Sequence, residues 1–207
     1  MDGGTLQDRI SRGMGTAARR LGSPYVVYRP QGPACPLQPA NRIIQLCATF
    51  SSGSQLFRSA SGYGGLLWTG VFDGAYTSSG DYLSDCRATY FIAAQRQLLP
   101  IQCVRTNGTI TISRTAPAAF SAYSGFVLES AAPIISGWPA CLRILHATTR
   151  GASPESRFGV WTILLPTLPM CPQVEDIIND DAGRSFSIAA AELSDLGWRL
   201  VARQISG

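Results

Sequence analysis

A general base beside a nucleophile is the first chemistry to look for, and this chain has one histidine with which to build it. His146 ends the mostly apolar run Cys141-Leu142-Arg143-Ile144-Leu145. A nucleophile triad needs an imidazole that reaches a hydroxyl or thiol and an acid that orients it; a histidine closing an apolar run reads instead as a structural residue at the edge of a core. The chain has no G-x-S-x-G elbow and no H-E-x-x-H, and it lacks Lys altogether, which removes the phosphate-binding lysine of a P-loop. Gly62-Tyr63-Gly64-Gly65 offers glycines without the strand-to-helix setting that a dinucleotide needs. Asp180 or Asp181 with Glu192 could be drawn as a glycosidase pair, as any two acids could. Glu175, Asp176, Asp180 and Asp181 form an acidic cluster, but the spacing of a calcium loop and its distal bidentate Glu are missing. Aspartates that cap turn amides account for them. The six cysteines, at 35, 47, 86, 103, 141 and 171, include no C-x-x-C, and with one histidine they make no zinc site. No catalytic residue, metal or cofactor is expected, and the chain does not read as an enzyme.

The composition points the same way. Hydrophobic residues are 45% of the chain and charged residues only 14%, against about 25% charged in an ordinary soluble domain. Such a chain buries much of its surface or covers it with partners. All 17 cationic side chains are Arg, which a GC-rich coding sequence explains more simply than the better tolerance of Arg for interfaces. The net charge of +4 is unevenly spread: +2 over residues 1–21, +4 over 22–115 and −2 over 116–207. A basic front and an acidic back suit head-to-tail contact or a channel with one positive rim. No block of five or six like charges exists, so non-specific DNA contact is compatible with the sequence and sequence-specific readout is not. No apolar h-region opens the chain and no run is long enough to span a bilayer; reduced thiols and no membrane are expected.

The elements that would carry these residues are mostly strands. Leu6, Ile10, Met14, Ala17, Ala18 and Leu21 recur at three- and four-residue spacing, predicting an amphipathic helix whose apolar stripe leans on its own domain or on a neighbouring subunit. Thr5 and Asp8 resemble a capping box, and Gly22 a stop. Arg9, Arg12, Arg19 and Arg20 lie largely off the stripe, free for DNA or an acidic partner. Gly13 and Gly15 weaken such a helix by about 1 kcal/mol each relative to Ala. Strands are predicted at Tyr25–Tyr28, Arg42–Cys47, Leu66–Trp68, Thr89–Ala94, Ile101–Arg105, Thr109–Arg114, Arg157–Leu165, Ser185–Ala190 and Gly197–Arg203, with loops at Ser51–Gly65 and Gly151–Ser156. Asn107-Gly108 between two alternating runs predicts a type I′ hairpin, which needs positive φ at both residues; the turn explains the residues better than the glycosylation sequon that Asn107-Gly108-Thr109 also spells. Trp68, Trp138, Trp161 and Trp198 read as core anchors.

The two halves share a pattern. Asp81-Tyr82-Leu83 leads through Asp85 and Arg87 to Thr89-Tyr90-Phe91-Ile92-Ala93-Ala94; Asp176-Ile177-Ile178 leads through Asp180, Asp181, Gly183 and Arg184 to Phe186-Ser187-Ile188-Ala189-Ala190, with one residue inserted. Each block is followed by another strand. The expected architecture is mainly β: an N-terminal helix over residues 1–22, then two small tandem barrels or sandwiches over 23–115 and 116–207.

These blocks resemble tailed-bacteriophage proteins. Asp81-Tyr82-Leu83 with Thr89–Ala93, Pro100-Ile101, Val104-Arg105-x-Asn107 and Ile110-x-Ile112-x-Arg114 looks like the strands of small head–tail connector proteins. So do Asp176-Ile177-Ile178-x-Asp180-Asp181-x-Gly183-Arg184, Glu192 with Leu196-Gly197-Trp198-Arg199-Leu200, and the Leu6–Gly22 helix followed by Tyr28-Arg29-Pro30. The likeness runs over most of the chain and extends to uncharacterised proteobacterial phage and prophage proteins. It implies a structural virion protein, assembled in the host cytoplasm, forming a homo-oligomeric ring between portal and tail proteins around the DNA path. A tail-tube, baseplate or capsid-decorating protein, or a β-domain binding module outside phage, are the alternatives.

Overall fold

The computed structural model describes residues 3–52, 66–115, 131–145 and 159–206. It is mainly β, with one N-terminal helix, α1 (Gly3–Leu21), and two closed six-stranded antiparallel barrels. The first contains β1 (Ser23–Tyr28), β2 (Arg42–Ser52), β3 (Leu67–Val71), β4 (Tyr82–Ser84), β5 (Thr89–Ala94) and β6 (Ile101–Arg105) in the order β1-β2-β3-β6-β5-β4. The second contains β7 (Gly108–Thr115), β8 (Ala131–Leu145), β9 (Val160–Leu165), β10 (Ile177–Asp180), β11 (Ser185–Ser194) and β12 (Gly197–Ser206) in the order β7-β8-β9-β12-β11-β10. The second order is the first with every strand number raised by six, so one topology is used twice.

The boundary between the units is not where the alternation placed it. β6 and β7 do not pair: β6 lies between β3 and β5, and β7 between β8 and β10. Neither Asn107 nor Gly108 has positive φ, so no type I′ turn forms. Instead the chain passes straight from one barrel into the next at Thr106–Asn107, and residues 108–115 belong to the second. The Asn107 amide does strand work there. Its Nδ2 donates to the Leu142 carbonyl at 2.8 Å and its Oδ1 accepts from the Leu142 N–H at 2.7 Å, extending the β7–β8 ladder by one side chain.

The repeat is anchored by an ion pair that recurs in equivalent positions. Arg29, just after β1, grips Asp81, just before β4, through Nε at 2.9 Å and an Nη at 2.8 Å. Arg114, near the end of β7, grips Asp176, just before β10, through the same two kinds of nitrogen, both at 2.8 Å. Both Asp side chains are 2% exposed. Each also accepts the N–H three residues upstream, Ser78 at 2.8 Å and Gln173 at 2.7 Å. Each carbonyl accepts from an isoleucine, Ile92 or Ile188. A β-bulge follows that isoleucine in both units, and Trp68 meets Tyr90 as Trp161 meets Phe186, edge to face, with centroids 5.7 and 5.4 Å apart. Because β1–β4 and β7–β10 are the pairings that close each barrel, the ion pair sits on the closing seam.

The barrels share a core. The outward face of the first barrel, with Tyr82, Phe91 and Val104, packs on the second in one buried cluster with Trp138, Ala140 and Leu164. Tyr82 Oη donates to the Pro139 carbonyl at 2.9 Å, and its ring meets Trp138 edge-on. The β1–β2 connection reaches across as well: the Pro33 carbonyl accepts from Ser136 N–H at 2.9 Å and Trp138 Nε1 at 3.0 Å. At the positions equivalent to Tyr82, Phe91 and Val104, the second barrel has Ile177, Ser187 and Arg203, none of them buried.

Removing the guanidinium leaves a buried carboxylate without its counter-charge. Arg29→Ala and Arg114→Ala are therefore each expected to cost about 3 kcal/mol in urea denaturation. Losses below about 1 kcal/mol would show that the seam does not depend on the pair.

Candidate assembly surface

The helix turns a different face to the protein from the one its apolar stripe predicts. Its buried residues are Ser11, Gly15 and Ala18, and it lies against β2, β3 and the short 3₁₀ turn Gly74–Tyr76. The reason is closeness of approach. A Cβ on Gly15 would stand 2.9 Å from the Asp73 Cβ, and one on Gly22 would stand 2.5 Å from the Ala48 carbonyl oxygen. Only small residues fit, so the small face docks. Of the predicted stripe, Ala18 is buried and Met14 half-buried. Leu6 and Ile10 remain 39% exposed and Leu21 77% exposed. Helix geometry sets the stripe and the buried face about a quarter-turn apart, at 100° per residue. The helix starts at Gly3, so Thr5 and Asp8 lie within it rather than forming its cap. Gly22 does end it, donating its N–H to the Ala18 carbonyl at 2.7 Å.

Two loops join the exposed shoulder of α1. The Leu98 N–H donates to Gln7 Oε1 at 2.7 Å, which sets the β5–β6 connection beside the first half of the helix. Leu98 holds φ at 61°, in the left-handed region, and both Leu98 and Leu99 are exposed. Next to them Arg96 pairs with Asp195 at the tip of the β11–β12 hairpin, which carries exposed Leu193. Leu6, Ile10, Leu98, Leu99 and Leu193 thus come from three elements of both barrels and the helix. Individually exposed leucines mean little; a grouping marks an interaction site.

Five of the described arginines form ion pairs. Arg29, Arg96, Arg114, Arg184 and Arg199 pair with Asp81, Asp195, Asp176, Asp180 and Glu192. Arg9, Arg12 and Arg20 are exposed with no carboxylate partner among the described residues, and Arg19 bonds only its own helix, through the Gly15 carbonyl. Arg42, Arg87, Arg105, Arg143 and Arg203 are also exposed outside these ion pairs, elsewhere on the barrels, and the four helix arginines give the apolar shoulder a cationic border.

The candidates for chemistry are used elsewhere or lie outside the described residues, as His146 and Gly62–Gly65 do. The acidic cluster is dispersed: Asp176 and Asp180 face arginines, and Asp181 accepts the Thr109 N–H at 3.1 Å. No group of three or more metal-ligating side chains forms among the described residues. Burial pushes the Cys103 and Cys141 thiols up, away from the reactive thiolate. A cleft of about 350 Å³ between the barrels is lined by Asp85, Arg87, Asn107 and Asp181 among others. Its carboxylates are already engaged, Asp85 accepting from the Arg87 and Ala88 N–H groups. No described helix is long and apolar enough to cross a membrane. Comparison of the chain with protein-family models, with curated proteins and with solved structures finds no match in any of the three.

The close docking of α1 makes Gly22→Ala destabilising by about 2 kcal/mol, read in thermal or urea unfolding; a neutral result would mean the helix is not held at this distance. Tyr25, in the aromatic cluster of the first barrel, is pushed up to about 12 by burial and by the Asp85 carboxylate, against the pull of Arg105. A raised folded value means the stability linked to this group is complete below the unfolded value of about 10. It is then lost as pH climbs toward 12. Absorbance titration of wild type against Tyr25→Phe checks the late-ionising phenol.

Proposed function

We propose that the protein is a structural subunit of a tailed-phage virion, assembling into a ring at the head–tail junction that links portal to tail around the DNA path. The observation that carries it is the exposed apolar shoulder of α1. A helix that hides Ser11 and Gly15 while leaving Leu6, Ile10 and Leu21 in water is arranged for a partner to cover it.

The rest of the molecule fits an assembly role. Closed barrels leave few strand edges to template uncontrolled pairing, so contacts between subunits fall to side-chain surfaces. A rigid double barrel with a shared core presents those surfaces at fixed spacing, as a ring with one repeated contact requires. The unpaired arginines of α1 suit an acidic neighbour or the phosphates of DNA. The station at the head–tail junction rests on the likeness of the strand blocks to connector proteins.

Replacing both Leu6 and Ile10 with Ser is expected to leave unfolding within about 0.5 kcal/mol of wild type, as surface changes do, while abolishing oligomers in analytical ultracentrifugation and rings in electron microscopy. Oligomers that persist in the double variant would defeat the assembly role of this shoulder. A reconstruction of the intact particle that locates the chain away from the junction would defeat the station.

A further inference from the structure

The docking surface for the α1 shoulder is on the second barrel of another copy. We infer that the β9–β10 connection, with Met170, Val174 and Glu175, receives Leu6 and Ile10 of a second chain, Glu175 meeting Arg9, which lies one turn from Leu6 on the same helix. The inference rests on the assembly reading above and names its partner.

Three observations converge on this connection. First, the segment is held rigidly. Arg114 donates to the Cys171 carbonyl at 3.0 Å as well as to Asp176, and Asp176 binds the Gln173 N–H, so residues 171–176 fold around one guanidinium. Second, it shows apolar side chains to water: Met170 is exposed and Val174 is 57% exposed. Third, Glu175 holds φ at 75°, and the equivalent residue of the first barrel is Gly80 at φ 93°. The equivalence is fixed by their hydrogen bonds, since Gly80 and Glu175 each donate to the carbonyl of the bulge isoleucine, Ile92 or Ile188. The turn wants glycine, and the first barrel has it. The second holds a strained, exposed glutamate that pairs with no cation among the described residues. Strain kept at one member of a duplicated pair points to a use for the side chain.

The two surfaces are complementary. One is apolar with a border of unpaired arginines, the other apolar with an unpaired carboxylate. They lie on different parts of the chain, so the contact can repeat head to tail from copy to copy and close into a ring.

Charge exchange on the full-length chain tests it, with association followed by sedimentation. Glu175→Arg weakens association at least tenfold, and combining it with Arg9→Glu restores it. Glu175→Gly separates contact from folding: it raises the melting temperature by about 2–4 °C by removing the strain, yet weakens association severalfold. Association untouched by either Glu175 change, or not restored by the exchange in chains that stay folded, overturns the inference. If the Leu6 and Ile10 double variant fails to assemble while the Glu175 variants assemble normally, the shoulder keeps its role and only this acceptor falls. If neither set moves association, both fall.

Discussion

Each barrel closes on a strand pairing at which a carboxylate has been taken almost wholly out of water. Asp81 and Asp176 tolerate this because a guanidinium meets both oxygens and a turn N–H adds a further bond. A bidentate charge-assisted pair is among the strongest contacts available to a side chain, yet it does not give the folded state a large net gain, since burial of the ions offsets much of the attraction. What it supplies is selectivity of register. A one-residue slip of β4 against β1 would turn the aspartate away from its arginine and leave it charged and unpaired, a far costlier outcome than a slipped apolar contact. The bulge, the aromatic pair and the turn below the seam all follow from that register.

Much of the architecture could be read from the chain, because half-buried strands alternate and closed barrels need short turns. β5 and β6 coincide with the runs Thr89–Ala94 and Ile101–Arg105, and the duplicated blocks at Asp81 and Asp176 are the two halves of one topology. The ion-pair roles of Arg29 and Arg114, and the ring partners of Trp68 and Trp161, which the sequence marks only as core anchors, could not be read because they reach those blocks through space, across long connections. The Asn107-Gly108 signal misled for a definite reason. Alternation on both sides of a short polar pair describes a hairpin, and equally describes two strands of successive barrels joined end to end. Only backbone dihedrals and the use of the Asn107 amide separate the cases.

The helix shows the limit of periodicity in another way. Large apolar residues at helical spacing locate a sticky face, but the face that packs is the one whose small size lets two backbones approach. Gly15 and Ala18 settle the orientation against barrel one, and Leu6, Ile10 and Leu21 are then left over by geometry. The stripe was legible; what it faces was not, because that depends on the shape of β2 and β3 and on Asp73.

The shared core uses a different face of each barrel. Tyr82, Phe91 and Val104 let the first barrel sit on its successor, and the second has Ile177, Ser187 and Arg203 at the same three places. A half-buried isoleucine, a half-buried serine and an exposed arginine stand on the second barrel where the first offers a wholly apolar seat. The two barrels share a topology yet differ in what they can seat, and that difference lies in three side chains rather than in the fold.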